Sequence, residues 1–189
     1  MANRAYLFLS KVSDNHIIKN LKEPYYDSRW NIPLLWFLFF DRNSLKLKTV
    51  YFEEDKEQIE NSWHEIALIE KKDSAIENFS KNIQLLNEVW KQVDKDEEII
   101  RFIENIKRWH GEYLVLDTTE IVEDHEQAFK DFSNSFDYLE SKKSVEFVKS
   151  LNNYSGNFQE PNLLVKLFAN RDYERVSDSL AYFVGHTRW

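Results

Sequence analysis

Apolar runs along the chain predict three strands. Residues 5–12 are almost wholly apolar and aromatic, which is typical of a buried strand that opens a fold. In residues 45–52 leucines alternate with lysines before the run turns apolar, as in a strand with one exposed face. Residues 113–117 form a short apolar run that ends in an aspartate and suits a central strand. We expect these three segments to form a small sheet.

Helical spacing dominates the middle of the chain. In residues 74–92 and 95–110 the apolar side chains recur every three or four positions, which places them on one face of a helix. Gly111 follows the second segment and is suited to end it. Each segment opens with a capping box, in which two side chains three positions apart satisfy each other's backbone N–H groups: Ser74 with Glu77, and Asp94 with Glu97.

Two helices are also predicted in the first third of the chain. Residues 30–40 are aromatic and aliphatic almost throughout, and Pro33 is tolerated in the first turn of a helix. A short, buried helix over residues 33–40 is therefore expected, and its alternative is an exposed patch that grips a partner. Residues 55–67 begin with an acidic cap followed by apolar positions at helical spacing, which predicts a further helix.

The last third of the chain is predicted to be helical. Asp124 with Gln127 starts a helix, residues 144–151 form a shorter one, and residues 152–157 form a loop. Two closing helices are expected over residues 163–168 and 172–184. The helix after Asp124 carries an apolar face made of Phe129, Phe132, Phe136 and Leu139.

Composition fits a single helix-rich α+β domain over residues 1–189. The chain has only three Gly and three Pro, which is too few for the many tight turns of a sandwich or barrel. A hydrophobic content of 42% excludes the disordered class. Because there is no cysteine, disulfides and thiolate chemistry are also excluded. We expect a small sheet covered by helices, with a helical C-terminal third.

The apolar runs are too short for a membrane protein. The first ten residues lack the long apolar core of a signal peptide, and the longest apolar run covers residues 32–40. Spanning a bilayer takes about 20 apolar residues. We therefore expect a soluble, cytoplasmic protein with no membrane partner.

Most of the net charge of −8 lies in one segment. Residues 112–146 contain ten acidic and three basic side chains, and a second acidic cluster lies in residues 53–60. A folded acidic face attracts basic partners and repels nucleic acid, so a basic protein is the expected partner. The candidate contacts are six acids, with two tyrosines and an arginine as a second patch: Glu120, Glu123, Asp124, Glu126, Asp131 and Asp137, with Tyr25, Tyr26 and Arg29.

No residue pattern assigns a catalytic residue, a metal site or a cofactor. Asp117 follows a strand, an arrangement that superficially resembles the haloacid-dehalogenase-like phosphatases, but Thr119 stands where their second Asp would be. A turn in which Asp117 bonds nearby backbone is the simpler interpretation. The five histidines never stand three or four positions apart, the spacing that puts two ligands on one helix face. We expect no cofactor and no metal.

Three segments, Met1–Leu7, Trp30–Leu34 and Tyr113–Asp117, resemble an uncharacterised bacterial family of single-domain cytoplasmic proteins. The resemblance covers residues 1–120 approximately and implies no activity. The small, acidic and aromatic-rich character of the chain is also similar to that of immunity proteins of bacterial toxin systems. That likeness implies a non-catalytic protein that binds and neutralises a toxin.

The expected function is therefore that of a protein-binding immunity protein. The first alternative is a small hydrolase-type enzyme, whose site would be a pocket converging on His110, Glu112 and Asp117. The second alternative is a homo-oligomeric scaffold, in which part of the aromatic excess lies at a homodimer interface.

Overall fold

A seven-stranded sheet organises the fold. The computed structural model describes residues 4–10, 16–19, 23–29, 31–52, 65–88, 93–155 and 186–188. The strands are β1 (Arg4–Ser10), β2 (His16–Lys19), β3 (Tyr25–Arg29), β4 (Leu45–Phe52), β5 (Glu65–Lys71), β6 (Tyr113–Asp117) and β7 (His186–Arg188). Their order across the sheet is β2-β4-β5-β6-β1-β3-β7. Neighbouring strands are antiparallel except for β2 and β4, which are parallel.

Five α-helices complete the described fold. They are α1 (Lys72–Leu86), α2 (Glu97–Arg108), α3 (His125–Glu140), α4 (Ser144–Ser150) and α5 (Asn152–Ser155). Their buried faces join one face of the sheet in a single large apolar cluster. The predicted α+β class is thus confirmed. Among the described helices, none is long and apolar enough to cross a membrane.

The three predicted strands are confirmed as β1, β4 and β6, but the sheet is larger than expected. β5 includes Ile66 and Ala67, which the helical pattern had placed in a helix over residues 55–67, so that expectation is wrong for this part. Both side chains are fully buried, on opposite faces of the sheet. A strand that is buried on both faces does not show the alternation of apolar and polar residues by which strands are predicted. Pairing with β4 and β6 makes this segment a strand.

The predicted helix over residues 33–40 is a 3-10 helix over Leu34–Phe39, and it lies at the centre of the core. Its end hydrogen bonds join residues three apart, as the tighter helix requires. All six side chains are buried, so the alternative of an exposed patch is wrong. The Phe39 ring lies 4.6 Å from that of Phe79 on α1 and 5.7 Å from that of Phe102 on α2.

α1 and α2 confirm the two central helices, but their ends differ from the expected ones. α1 begins two residues before Ser74, directly after β5, and no side chain caps it. A 3-10 turn at Val93–Lys95 precedes α2, so the cap is Asp96 and not Asp94. Oδ1 of Asp96 accepts the N–H of Glu98 at 2.9 Å. Both capping boxes are therefore wrong, while the helical periodicity is right.

α3 and α4 confirm the helices predicted from Asp124 and over residues 144–151. Of the apolar face predicted for α3, Phe132, Phe136 and Leu139 are buried, but Phe129 is 36% exposed, so its placement there is wrong. α5 forms where a loop was expected, because hydrogen bonds join it to residues 31 and 32, just before the central 3-10 helix. The N–H of Ile32 donates to the carbonyl of Tyr154 at 2.8 Å, and Nδ2 of Asn31 donates to the carbonyl of Ser155 at 3.3 Å. The closing helices expected over residues 163–184 lie outside the described residues, and β7 was not predicted.

Candidate functional site

The acidic segment folds as a tight turn followed by α3. The N–H of Val122 donates to the carbonyl of Thr118 at 3.0 Å, which closes the turn. Oδ1 of Asp124 then accepts the N–H of Gln127 at 2.9 Å and caps the helix, as the sequence predicted. The turn and the cap together bring the acids of residues 120–126 to one end of α3.

Two of the expected contact acids, Glu123 and Glu126, are exposed, and their side chains make no ion pair or hydrogen bond among the described residues. Glu126 lies in the first turn of α3, where the helix dipole favours a negative charge. Glu120 is also exposed, and its Oε2 accepts the backbone N–H of Arg4 at 3.0 Å. These side chains concentrate negative charge beside the cap of α3. The second acidic cluster, residues 53–60, lies outside the described residues.

The other two expected acids are engaged within the chain. Oδ1 of Asp131 accepts Nε2 of Gln127 at 2.8 Å, and Oδ2 accepts the hydroxyl of Tyr154 at 2.7 Å. Asp137 pairs with Arg42 at 2.8 Å, and both side chains are about half exposed. A surface ion pair of this kind contributes little to stability, and the Asp137 side chain remains accessible to solvent. Asp131, in contrast, stabilises the fold by its hydrogen bonds to Gln127 and Tyr154.

Tyr26 was expected on the surface, and that expectation is wrong. It is only 3% exposed, and its ring lies 4.8 Å from that of Phe102 and 5.1 Å from that of Trp109. Its hydroxyl accepts Nδ2 of Asn105 at 3.1 Å. Because successive side chains of a strand point to opposite faces, Tyr26 enters the helix-covered core.

The remaining two members of the second patch lie on β3. Tyr25 is half-buried, and its ring is 6.1 Å from that of Tyr6 on the neighbouring strand. Arg29 ends β3, opposite Arg4 in the register. In the sheet β1 lies between β3 and β6. The patch on β3 is therefore separated by β1 from β6, the strand that leads into the turn at Thr118–Val122.

A row of polar side chains crosses three neighbouring strands, and the sequence analysis did not predict that they would lie side by side. Tyr6 lies opposite Asp27 of β3 and opposite Asp117 of β6, and directly opposed residues share one face of a sheet. Asp27 is 2% exposed and Asp117 is 6% exposed. Arg4 forms an ion pair with Asp27, which offsets part of the cost of burying that charge. The only feature of the sequence that could have indicated this row is Asp27, an acid within the short segment that forms β3.

Asp117 forms the strand-ending turn that the simpler interpretation predicted. Its Oδ1 accepts the N–H of Thr119 at 3.0 Å, and Oγ1 of Thr118 donates to the carbonyl of Ile66 at 2.8 Å. His110 and Glu112, which the hydrolase alternative would bring to Asp117, are exposed. No group of three or more metal-ligating side chains among the described residues is placed to hold a metal ion.

Two tyrosines, the buried Tyr6 and the partly buried Tyr154, have raised pKa values. Burial, followed by the negative charge of Glu120, raises the pKa of Tyr6 to about 12. Burial and the hydrogen bond to Asp131 raise the pKa of Tyr154 above its usual range. In the unfolded chain a tyrosine ionises near pH 10, so above that pH the unfolded state loses protons that the folded state retains.

We therefore expect the free energy of unfolding to fall as the pH rises from about 10 to about 12. Urea unfolding at a series of pH values measures this slope in the wild type and in Tyr6→Phe. The variant cannot lose the proton, so its slope should be smaller. Equal slopes in the two proteins would show that Tyr6 does not carry this dependence.

No protein-family model, curated protein or solved structure matches the chain.

Proposed function

We propose that the protein is a non-catalytic binding protein whose acidic face docks on a basic protein surface. The acidic face consists of four acids in the turn before α3, at its cap and in its first turn: Glu120, Glu123, Asp124 and Glu126. The observation that supports this most strongly is their exposure without an ion pair to any described residue. Unpaired like charges held together repel each other, and a cationic partner relieves that repulsion.

An apolar contact stands beside the acidic face. Phe129 is 36% exposed, one turn along α3 from Glu126, while the inward-facing Phe132 is fully buried. Charge complementarity speeds the encounter with a basic partner, and an aromatic side chain that becomes desolvated slows dissociation. The acidic face and Phe129 therefore provide both components of a specific interface.

We further propose that the partner is a bacterial toxin with a basic active-site cleft, which makes the protein an immunity protein. The support is the similarity of character, small, acidic and aromatic-rich, together with the acidic face. A basic cleft attracts an acidic protein, and an acidic protein that occupies the cleft competes with the toxin's substrate.

The structure identifies which acids can be changed without disturbing the fold. Glu123 and Glu126 make no contact that folding requires among the described residues, whereas Asp124 caps α3 and Asp131 holds Tyr154. The double variant Glu123→Gln/Glu126→Gln removes two charges and keeps the shape. Glu77→Gln/Glu97→Gln makes the same change at exposed positions of α1 and α2 and is the matched control.

We expect Glu123→Gln/Glu126→Gln to bind the partner roughly tenfold more weakly than the control variant. The loss should appear mainly as slower association, and the salt dependence of binding should decrease. Surface plasmon resonance against the purified partner, at low and at high salt, measures both. Equal affinity of the two double variants at both salt concentrations would exclude the acidic face as the docking site.

A further inference from the structure

A cleft of about 450 Å³ opens at the other end of α3, away from the acidic face. It lies between α1, the residues that follow the central 3-10 helix, and the turn after α3. Its volume is in the range of sites that bind small molecules. Four large apolar side chains stand around it: Phe40, Leu85, Phe136 and Leu139. Leu85 is partly exposed, and the other three are at most 4% exposed.

A buried amide lines this cleft with one hydrogen-bonding atom free. Asn82 is 8% exposed, and its Nδ2 donates to the carbonyl of Leu38 at 3.0 Å. That bond fixes the orientation of the amide, because its oxygen and nitrogen point in different directions. Oδ1 of Asn82 accepts no hydrogen bond from the residues that the structure describes. The oxygen is open to the cleft, so an N–H or O–H donor of a ligand would take the place of solvent there.

Two lysines line the cleft from opposite elements. Lys81 comes from α1 and Lys142 from the turn after α3, and neither pairs with a described carboxylate. Lys142 has a φ of 56°, in the left-handed region. The N–H of Lys142 donates to the carbonyl of Leu139 at 3.1 Å, and that of Lys143 donates to Tyr138 at 2.8 Å.

This pattern of bonds is the helix ending in which glycine is usual. A side chain at that position strains the backbone, and strain of this kind concentrates at functional sites. Here the residue with the strained backbone is one that lines the cleft.

We propose that the cleft binds a small amphipathic carboxylate that carries an N–H donor, as an α-amino acid with an apolar side chain does. The carboxylate would meet Lys142 and Lys81, and the apolar side chain would lie against the partly exposed Leu85. The ammonium group donates to Oδ1 of Asn82. Three carboxylates also line the cleft: Asp41, Glu88 and Glu140. Asp41 accepts the N–H of Asn43 and Glu88 accepts the hydroxyl of Ser144, so the attraction for that ammonium group comes mainly from Glu140. The inference does not depend on the proposed protein partner.

Titration of the ¹⁵N-labelled protein tests this with three probes. L-Phenylalanine carries all three groups, 3-phenylpropionate lacks the ammonium group, and L-phenylalaninamide lacks the carboxylate. We expect L-phenylalanine to shift the side-chain amide resonances of Asn82, and each of the other probes to bind about tenfold more weakly. No shift at Asn82 with L-phenylalanine, or equal binding of the three probes, would overturn the proposal.

Variants at Lys142 separate binding from folding. Lys142→Gly removes the ammonium group and the backbone strain together, so it should raise the thermal unfolding midpoint while weakening L-phenylalanine binding about tenfold. Lys142→Gln removes the charge and keeps the strain, and it should weaken binding without that gain. Lys130→Gln, at an exposed position of α3 outside the cleft, is the control. Equal affinity of Lys142→Gly and Lys130→Gln would contradict the role of Lys142.

Discussion

Phe132→Ala is expected to lower the free energy of unfolding by about 3–5 kcal/mol. The side chain is fully buried, and its ring lies 5.1 Å from that of Phe37 and 4.8 Å from that of Tyr154. It thus joins α3 to the central 3-10 helix and to α5. Removing the ring leaves a cavity that these elements can close only in part, so the loss includes a cavity cost.

Phe129→Ala is the matched control, because it makes the same chemical change one turn earlier on α3, at a side chain that is 36% exposed. It should lower the free energy of unfolding by about 1 kcal/mol or less. Urea unfolding of both variants measures the difference. The dependence of the unfolding free energy on urea concentration should be the same in both, which shows that they expose the same surface on unfolding. Similar losses in the two variants would contradict the placement of Phe132 at the centre of the core.

Gly111→Ala is expected to lower the free energy of unfolding by about 3 kcal/mol. Gly111 has a φ of +157°, and a Cβ atom there would lie 2.5 Å from Cβ of Leu9 on the central strand β1. Leu9 is buried and cannot move aside without displacing β1, which pairs with β3 and β6. The close approach of backbone to side chain thus requires a glycine between α2 and β6.

The neighbouring exposed residue supplies the control for this second variant. His110→Ala should change the free energy of unfolding by about 0.5 kcal/mol or less, because no described residue depends on its side chain. Thermal unfolding followed by circular dichroism compares the two variants with the wild type. A Gly111→Ala protein as stable as His110→Ala would show that the Leu9 contact is relieved at no cost.

The sequence predicted strands and helices best where one periodicity was present. β1, β4 and β6 are apolar runs of strand length, and α1, α2 and α3 carry clear helical stripes. β3 was missed because it is largely polar, and its charge is satisfied by Arg4, a partner 23 positions away in sequence. Helix ends were less predictable, since β5 feeds directly into α1 and a 3-10 turn shifts the start of α2.

The candidate site could be predicted only in part. The charge density of a segment can be read from the sequence, whereas the exposure of each side chain depends on the fold. Glu123 and Glu126 are exposed as expected. Asp131 bonds Tyr154 and Asp137 pairs with Arg42, contacts that span 23 and 95 positions. Local patterns carry no information about such partners. The prediction that Tyr26 is exposed was wrong for a related reason. Tyr25 and Tyr26 are adjacent in a strand, so their side chains point to opposite faces of the sheet.

The cleft was not predictable from sequence at all. Its lysines stand 61 positions apart (81 and 142), and the free oxygen of Asn82 depends on a bond to the backbone of the 3-10 helix. The absence of a glycine after α3 is the one local feature that could have drawn attention to Lys142. A single sequence gives no reason to treat that absence as a signal until the helix ending is seen.

The most direct test of the proposed function is affinity capture from the native host with three immobilised proteins. These are the wild type, Glu123→Gln/Glu126→Gln and the control Glu77→Gln/Glu97→Gln, each tested at low and at high salt. We expect one basic protein to be retained at low salt by the wild type and the control, to be released as salt rises, and to be depleted on the acidic-face variant. Retention of the same proteins by all three, or of no basic protein by the wild type at low salt, would contradict binding through the acidic face.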